Sequence, residues 1–148
     1  MGVWANKQEE AHRKMQELVE DAMPDGDTLV GAIHAHQQGA FSAKFYVVGA
    51  TDRHLIVIPV DKRWRPTDAP PVVLRPDEID VENLFQEGQG LVSSIVLSKK
   101  GQEIRFSARG EKYKFMALGG TMIENALASG GQIEGLTAVV EFLRAVPR

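Results

Sequence analysis

Alternating apolar residues near the middle of the chain predict a β-hairpin on which the rest of the fold depends. Residues 43–49 and 55–60 are dominated by β-branched, aromatic and aliphatic side chains, which suit a pleated and buried surface. Gly49 and Asp52 supply turn chemistry between the two strands. Val47 and Val57 are expected to face one side, with Tyr46, Val48, Ile56 and Ile58 facing the other. Because neither face is polar, the sheet needs a cover on both sides, from the chain itself or from a second copy.

An apolar stripe with helical spacing precedes this hairpin. It consists of Ala11, Met15, Leu18 and Ala22, at the intervals of three and four residues that mark one face of a helix. Asn6 resembles an N-cap, and residues 23–26 contain the proline and glycine that end the helix. An isolated helix of this length is marginally stable in water. We therefore expect it to pack on the outer face of the first sheet, on the side carrying Tyr46, Ile56 or their alternates.

Shorter alternating runs predict the remaining strands. The predicted strands are residues 28–37, 43–49, 55–60, 81–86, 91–98, 103–108 and 112–118, with a brief pairing at 72–74. In the first of them, Leu29, Ile33 and Ala35 are expected on one face and Val30, Ala32, His34 and His36 on the other. Short connections that contain Gly101 and Gly110 favour hairpins between the last three strands.

The last two strands combine an apolar face with a basic one, and a helix follows. Ile104, Phe106, Tyr113 and Phe115 alternate with Arg105, Ser107, Lys112 and Lys114, as in a half-buried antiparallel meander. Residues 121–124 resemble the capped start of one short helix. The final apolar stripe comprises Ile133, Leu136, Val139, Val140, Leu143 and Val146. One mainly β domain is predicted for residues 1–148, with a helix at 1–24, a sandwich or partly open barrel at 28–118, and a closing helix at 132–146.

The central hairpin carries a motif, Val48-Gly49-Ala50-Thr51-Asp52-Arg53-His54-Leu55-Ile56. With the strand count and the closing helix, it resembles the bacterial pleckstrin-homology-like (PH-like) domains. Their hairpin often contains valine, a spacer, threonine, a polar pair with arginine, then leucine and an aliphatic residue. The resemblance covers residues 29–145 and implies a seven-stranded antiparallel sandwich or partly open barrel; the motif is structural rather than catalytic. A lipocalin-like or cystatin-like ligand-holding sheet is the alternative architecture.

Composition excludes several classes of protein. The 148 residues contain no cysteine and carry a net charge of −3, which excludes disulfides and thiol nucleophiles and argues against a dedicated nucleic-acid binder. The sequence shows no signal-peptide pattern and no apolar run long enough to span a membrane, so a cytoplasmic protein is expected. The charge is uneven: residues 41–65 and 91–118 are predominantly basic, whereas residues 1–27 and 66–90 are predominantly acidic.

Candidate catalytic and metal-binding groups are sparse, and each has a structural explanation. His34 and His36 share a strand face and would present two nitrogen ligands. With no thiol and only two further histidines in the chain, we expect instead histidines that are partly exposed or lie under the first helix. The acidic clusters Asp25/Asp27 and Asp77/Glu78/Asp80 lie among turn residues, where solvent keeps carboxyl groups ordinary. Neither a nucleophile elbow nor a phosphate-binding loop occurs. No catalytic residue, metal or cofactor is predicted.

The favoured function is that of a non-enzymatic PH-like interaction module. It is expected to act through protein–protein contact or self-assembly as a homo-oligomer, because the central hairpin is apolar on both faces. The predicted interaction surface comprises Tyr46, Val48, Ile56, Ile58, Lys62, Arg63, Trp64 and Arg65. A small ligand-binding β-barrel or small enzyme is the first alternative, and it would need a pocket lined by Tyr113, Phe115 and the histidines.

Weak binding to an anionic membrane surface is the second alternative. It is suggested by the basic run around Trp64, because basic residues near anionic lipid each add about 1 kcal/mol of attraction. PH domains that grip phosphoinositides use several basic residues in the first loop between strands. Here that loop, residues 37–44, offers Lys44 alone. We therefore expect no binding of anionic vesicles, including by the basic face of the last meander.

Overall fold

Seven strands and two α-helices make up the part of the chain that the computed structural model describes, residues 3–38, 43–61, 63, 65–81, 102–117 and 131–146. In chain order they are α1 (Val3–Ala22), β1 (Leu29–Gln38), β2 (Ala43–Thr51), β3 (Leu55–Val60), β4 (Val72–Leu74), a 3-10 helix (Pro76–Glu78), β5 (Ile79–Asp80), β6 (Gln102–Ala108), β7 (Glu111–Ala117) and α2 (Gly131–Arg144). The predicted mainly β class is confirmed. The strand predicted at 91–98 and the helix predicted at 121–124 lie outside the described residues, as does most of the strand predicted at 81–86.

The strands form two antiparallel sheets. Their order is β4-β3-β2-β1 in one sheet and β7-β6-β5 in the other, and the two meet where His36 of β1 pairs with Met116 of β7. Strands β1, β2 and β3 are neighbours in space as in sequence, as expected for short connections. Among the described strands, β4 and β5 lie at the two ends of the order, so these strands do not close a barrel.

The N-terminal helix begins earlier than the sequence pattern predicts. Helix α1 starts at Val3, so Asn6 lies within the helix and the prediction that it is the N-cap is wrong. An N-cap residue needs a non-helical backbone, and the good helix formers around Asn6, among them Ala5 and Lys7, allow the helix to continue upstream. The predicted end is confirmed, since the helix stops at Ala22 before the proline of the following turn.

The register of the central hairpin corrects its predicted faces. Val48 pairs with Val57, and Val47 pairs with Ile58. Directly opposed residues share a face of the sheet, so Val57 lies on the Val48 face rather than on the Val47 face. Three residues, 52–54, separate the two strands. As a result, each directly opposed pair of β2 and β3 joins an even-numbered residue to an odd-numbered one. The prediction was wrong because it placed two odd-numbered residues, Val47 and Val57, on the same face.

A β-bulge near the start of β1 places Leu29 on the face opposite to the predicted one. The register shifts between Leu29 and Gly31, and the extra residue, Val30, is 61% exposed. An extra residue reverses the alternation of side chains. Leu29 therefore packs under α1 instead of facing the same side as Ile33, as the pattern predicted.

Helix α1 covers one face of the four-stranded sheet. Met15 and Val19 are buried. They pack on Ala32, Val47, Ile56, Ile58 and Val60. The predicted position of the helix, on the face that carries Ile56, is confirmed, whereas Tyr46 packs against the core on the opposite face. Gly49 of β2 lies beneath Val19, and a Cβ added at this glycine would overlap the valine side chain.

Helix α2 and the three-stranded sheet cover the other face. The buried cluster includes Ile33, Val48, Leu55, Val57, Leu74, Ile104, Phe106, Phe115, Leu136, Val139, Val140 and Leu143. The ring centroids of Tyr46 and Phe115, from different sheets, are 5.1 Å apart, and those of Phe106 and Phe115 are 5.7 Å apart. These distances are typical of packed aromatic pairs. The predicted inward face of β6 and β7 is confirmed for the described side chains, and Tyr113 is half-buried.

Arg109 links the two sheets at the turn between β6 and β7. The turn residues Arg109 and Gly110 have φ angles of 52° and 82°, as a two-residue hairpin turn requires. The Arg109 Nε donates to Glu78 Oε2 at 2.6 Å, and its Nη2 donates to Glu78 Oε1 at 3.1 Å and to the Val73 carbonyl at 2.9 Å. Val73 belongs to β4, so this side chain connects the three-stranded sheet to the edge of the four-stranded sheet.

The free half of β3 is covered by the chain that follows it. Strand β4 pairs only with the first three residues of β3. Beyond them, Val60 forms a bridge with Pro66, and the Thr67 N–H donates to the Pro59 carbonyl at 3.3 Å. Pro59 itself has no N–H to offer. The second half of this strand therefore presents few open backbone groups.

We predict that Met15→Ala lowers the free energy of unfolding by about 2–5 kcal/mol, because the substitution leaves a cavity between α1 and the sheet. Met15 is 1% exposed, so little solvent fills that space. Urea denaturation measures the change. Glu17→Ala on the exposed side of α1 is the control and should change stability by no more than about 0.5 kcal/mol. Equal stability of the Met15 variant and the wild type would show that α1 does not contribute to the core.

We predict that Gly135→Ala destabilises the protein by about 1–3 kcal/mol through overpacking. A Cβ at Gly135 would meet the backbone carbonyl of Ala32 and the side chain of Ile33. Backbone atoms cannot yield as a flexible side chain does, so this clash outweighs the better helix propensity of alanine, about 1 kcal/mol. Thermal and urea unfolding measure the effect, with Glu141→Ala on the exposed face of α2 as the control. A stabilised Gly135→Ala protein would contradict this close contact between α2 and β1.

Candidate interaction surface

Three residues of the predicted interaction surface are buried inside the chain, so their assignment to that surface is corrected. Val48 and Ile56 are 0% exposed and Ile58 is 4% exposed. Val48 lies in the core beside α2, and the other two lie beneath α1. The chain thus covers both apolar faces of the hairpin itself. The apolar hairpin therefore gives no reason to expect a second copy.

The remaining predicted surface residues lie near the end of the hairpin, except for Lys62 and Trp64, which are outside the described residues. Arg63 and Arg65 are exposed. Their backbone N–H groups donate to Asp61 Oδ1 at 2.8 and 3.0 Å. The bond from Arg65, followed by that from Arg63 and by the charges of both side chains, lowers the pKa of Asp61. Asp61 therefore fixes the loop that positions these two arginines.

A groove of about 400 Å³ lies beside this loop. Its lining residues are Lys44, Phe45, Tyr46, Pro59, Val60, Asp61 and Thr67. It contains one basic side chain and one carboxylate, and the carboxylate is already bonded to the loop backbone. Tyr46, a residue of the predicted interaction surface, lines this groove together with Asp61. Its ring packs on Phe115.

The two strand histidines lie on the face that α1 covers. His34 and His36 are both partly buried, as predicted for histidines under the first helix. Burial, followed by the positive charge of His12 on α1, lowers the pKa of His34 to about 4. Gln16 Nε2 lies 3.2 Å from His12 Nε2, one helical turn away. Within the part of the chain that the structure describes, no group of three or more His, Cys, Asp or Glu residues is placed to hold a metal ion.

Asp27 departs from the ordinary turn carboxylate that the sequence predicts. Its side chain is 1% exposed, and its Oδ2 lies 2.6 Å from His54 Nδ1. The Thr51 hydroxyl donates to the same oxygen at 2.7 Å. Burial raises the pKa of Asp27, but the hydrogen bonds from Thr51 and His54, with the charges of His54 and Arg53, outweigh it and lower the pKa.

The role of this carboxylate is to join two connections of the fold. The backbone N–H groups of Arg53 and His54 donate to the Thr51 hydroxyl at 3.1 and 2.8 Å, which closes the turn between β2 and β3. The Thr28 N–H donates to Asp52 Oδ1 at 2.8 Å, and the Asp52 N–H donates to the Thr28 carbonyl at 3.0 Å, so both Asp27 and Thr28 of the loop after α1 are bonded to this turn. In a catalytic triad the nucleophilic hydroxyl bonds to the histidine, and the acid orients that histidine. Here the Thr51 hydroxyl bonds to Asp27 rather than to the His54 ring, so the three residues do not form such a triad.

Glu78 is the second acidic residue that differs from its predicted ordinary state. The bidentate bond from Arg109, followed by the bond from the Arg75 N–H at 3.0 Å, lowers the pKa of Glu78 to about 2. Charge-assisted paired bonds of this kind favour the ionised carboxylate. The neighbouring Asp77 pairs with Arg75 at 3.0 Å on an exposed surface. The carboxylates around the 3-10 helix thus hold the loop between the sheets.

The outer face of β6 and β7 carries a groove surrounded by cations, which we call the basic groove. Arg105 pairs with Lys114 across the two strands, Ser107 pairs with Lys112, and Asp80 of β5 pairs with Ser107. The three basic side chains and Asp80 are exposed, and Ser107 is half-buried. Opposed side chains on one face lie about 5 Å apart at Cβ. The predicted basic face of this meander is therefore confirmed as a compact surface.

The basic groove combines polar side chains with two aromatic residues of the sheet. The groove has a volume of about 350 Å³, and Phe106 and Tyr113 contribute to its lining. Their rings stack on each other at 5.0 Å and pack against the core. Side chains on a two-stranded ladder are spaced regularly. This surface therefore suits a partner that presents several anionic groups.

Comparisons of the chain with protein-family models, with curated proteins and with solved structures find no match. The resemblance to PH-like domains stays a prediction from the sequence. In the residues that the structure describes, no helix combines the length and apolarity needed to cross a bilayer.

We predict that Glu78→Gln removes part of the acid sensitivity of the fold. The folded-state pKa of Glu78, about 2, lies below its ordinary value of 4.5. Its ionised form therefore stabilises the fold above about pH 4.5, and this contribution is lost as the pH falls from about 4.5 towards 2. The free energy of unfolding, measured in urea across this range, should fall less steeply in the variant than in the wild type.

Asp77→Asn is the matched control for this measurement, because Asp77 lies on the same 3-10 helix but forms its ion pair with Arg75 on an exposed surface. Surface pairs of that kind contribute little. The control should keep the wild-type slope between about pH 4.5 and 2. A wild-type slope in Glu78→Gln as well would show that the Arg109–Glu78 contact is not formed in solution.

Proposed function

We propose that this protein is a non-enzymatic interaction module of PH-like type that acts through protein–protein contact, and that the basic groove is its contact surface. The observation that carries the proposal is the position of Arg105, Lys112 and Lys114, three exposed cations on one face of adjacent strands. The partner that suits this surface is an acidic segment of a polypeptide.

Charge repulsion within the groove supports the proposal. Arg105 and Lys114 are directly opposed, and like charges in opposed positions destabilise a pair of strands. Carboxylates of a partner that lie between these two side chains lower that repulsion.

The mixed charge of the groove favours a polypeptide over a lipid surface as the partner. Asp80 lies beside Ser107 on the same face, so the surface carries one acid among its cations. A planar anionic membrane would bring lipid headgroups close to this carboxylate, which like-charge repulsion disfavours. A peptide can place its acidic side chains beside the cations and a neutral or basic residue beside Asp80. Electrostatic complementarity of this kind gives specificity more than affinity.

The two polar networks support a non-enzymatic role. Among the described residues, specific partners in the loops lower the pKa of Asp27, Glu78 and Asp61, and the first two of these join distant parts of the chain. Each of these two holds two parts of the backbone together through bonds to residues more than twenty positions away. Perturbed pKa values cluster at functional sites, but structural networks of this kind perturb them too. Neither carboxylate lines the basic groove.

We predict that the double variant Lys112→Glu/Lys114→Glu weakens binding of an acidic peptide at least about tenfold, a loss of about 1.4 kcal/mol. The probe is a fluorescent decapeptide of alternating Glu and Ser, measured by fluorescence anisotropy. Wild-type binding should be detected at ~20 mM salt and lost near ~0.5 M, where the Debye length falls to a few ångströms.

Arg13→Glu/Lys14→Glu is the matched control, since it changes the net charge by the same amount on the exposed side of α1. It should bind the peptide as the wild type does. Equal weakening by both variants would show an effect of total charge rather than of the groove. Vesicles of phosphatidylserine form a second arm: binding of these vesicles without binding of the peptide would replace the proposed function by membrane contact.

A further inference from the structure

The outer side of α1 carries an acidic surface at its C-terminal end. Glu17, Glu20 and Asp21 are exposed, and their spacing of three and four residues places them together on one side of the helix. We call these three residues the acidic helix end. The last turn contains no basic residue, although the negative end of the helix dipole favours cations there.

This arrangement costs stability within one copy of the chain. Like charges three and four residues apart on a helix repel each other, and carboxylates at the C-terminal end interact unfavourably with the helix dipole. Nearer the N-terminus, Lys14 pairs with Glu10 at 3.4 Å. With the residues that the structure describes, by contrast, Glu17, Glu20 and Asp21 form no ion pair.

The basic groove and the acidic helix end lie on different sides of the molecule. Helix α1 packs on the face of the four-stranded sheet that points away from the core. The basic groove is on the face of β6 and β7 that points away from Phe106 and Phe115, which are in that core. The C-terminal part of α1 lies over Gly49 and Leu29, whereas the basic groove lies on β5, β6 and β7, so the two surfaces belong to different sheets.

We propose that the acidic segment recognised by the basic groove is the acidic helix end of a second copy of this chain. This inference rests on the proposed function of the groove and names its partner. Three carboxylates on one side of a helix face three cations on adjacent strands. Because each copy uses two different surfaces, the contact is heterologous, and it generates a ring or an open chain of copies rather than a closed symmetric dimer.

The contact is weak and depends on ionic strength. It consists of exposed charges, and each pair of exposed charges contributes little to binding. Opposite charges also steer the association of the two surfaces, and salt screens this effect. The expected assembly is therefore reversible, rises with protein concentration, and dissolves at high salt.

The experiment compares two neutralised variants, alone and mixed. Lys112→Gln/Lys114→Gln disables the groove and keeps the acidic helix end; Glu17→Gln/Glu20→Gln does the opposite. Sedimentation velocity of the wild type at ~20 mM salt should show a mass that increases with concentration above the monomer of 16.3 kDa, and the monomer alone at ~0.5 M. Each variant alone should remain monomeric at low salt. An equimolar mixture should form one-to-one particles and nothing larger, because each variant supplies one intact surface.

Glu10→Gln is the control, since Glu10 is an exposed carboxylate on the same helix but outside the acidic helix end. It should assemble as the wild type does, and urea denaturation should show that none of the variants is markedly less stable than the wild type. A monomeric wild type at low salt, or unaltered assembly of Glu17→Gln/Glu20→Gln, would overturn the proposal. If the groove still binds the Glu–Ser peptide in that case, the proposed function stands and only the identity of the partner is wrong. If peptide binding is absent too, both proposals fail.

Discussion

A sheet that is apolar on both faces must be covered on both. In this structure a helix packs closely on each face of the four-stranded sheet, and the rest of the fold depends on these two contacts. Helix α1 approaches β2 at Gly49, where a Cβ would overlap Val19, and helix α2 approaches β1 through Gly135, where a Cβ would meet the Ala32 carbonyl. Each contact leaves room for a hydrogen atom only, so it fixes the distance between the helix and the sheet. The three-stranded sheet then completes the core through Phe115.

This packing sorts the charged residues into two groups. Asp27 and Glu78 accept hydrogen bonds from distant parts of the chain and hold loops in place. Among the described residues, no buried side-chain nitrogen or oxygen lacks a hydrogen-bond partner, as expected for a well-formed interior. The other group stays on the outer surfaces, where carboxylates gather near the end of α1 and cations gather on β6 and β7. The interior thus specifies the fold, and the proposed contacts use these surface clusters.

Local patterns predict most of the secondary structure, because periodicity depends on residues close in sequence. The burial of Met15 in α1 and of Phe115 in β7 follows from such spacing. The face of Val57 does not, since it depends on the number of residues in the connection between β2 and β3. The Asp27–His54 contact joins residues 27 positions apart, and the sequence offers no spacing rule for such a pair. The basic groove was visible as an alternation of Arg105, Lys112 and Lys114, whereas its acidic neighbour Asp80 depends on the pairing of β5.

The covered half of β3 limits the ways in which copies of this chain can join. An exposed strand edge is a template for hydrogen bonding with another chain, and repeated addition of strands leads to fibrils. Here Pro59 offers no N–H, its carbonyl accepts from Thr67, and β4 occupies the first half of the strand with only three residues of its own. Growth by extension of the four-stranded sheet is therefore blocked along most of this edge. The proposed contact between copies uses side chains instead, and such a contact can form and dissolve without refolding.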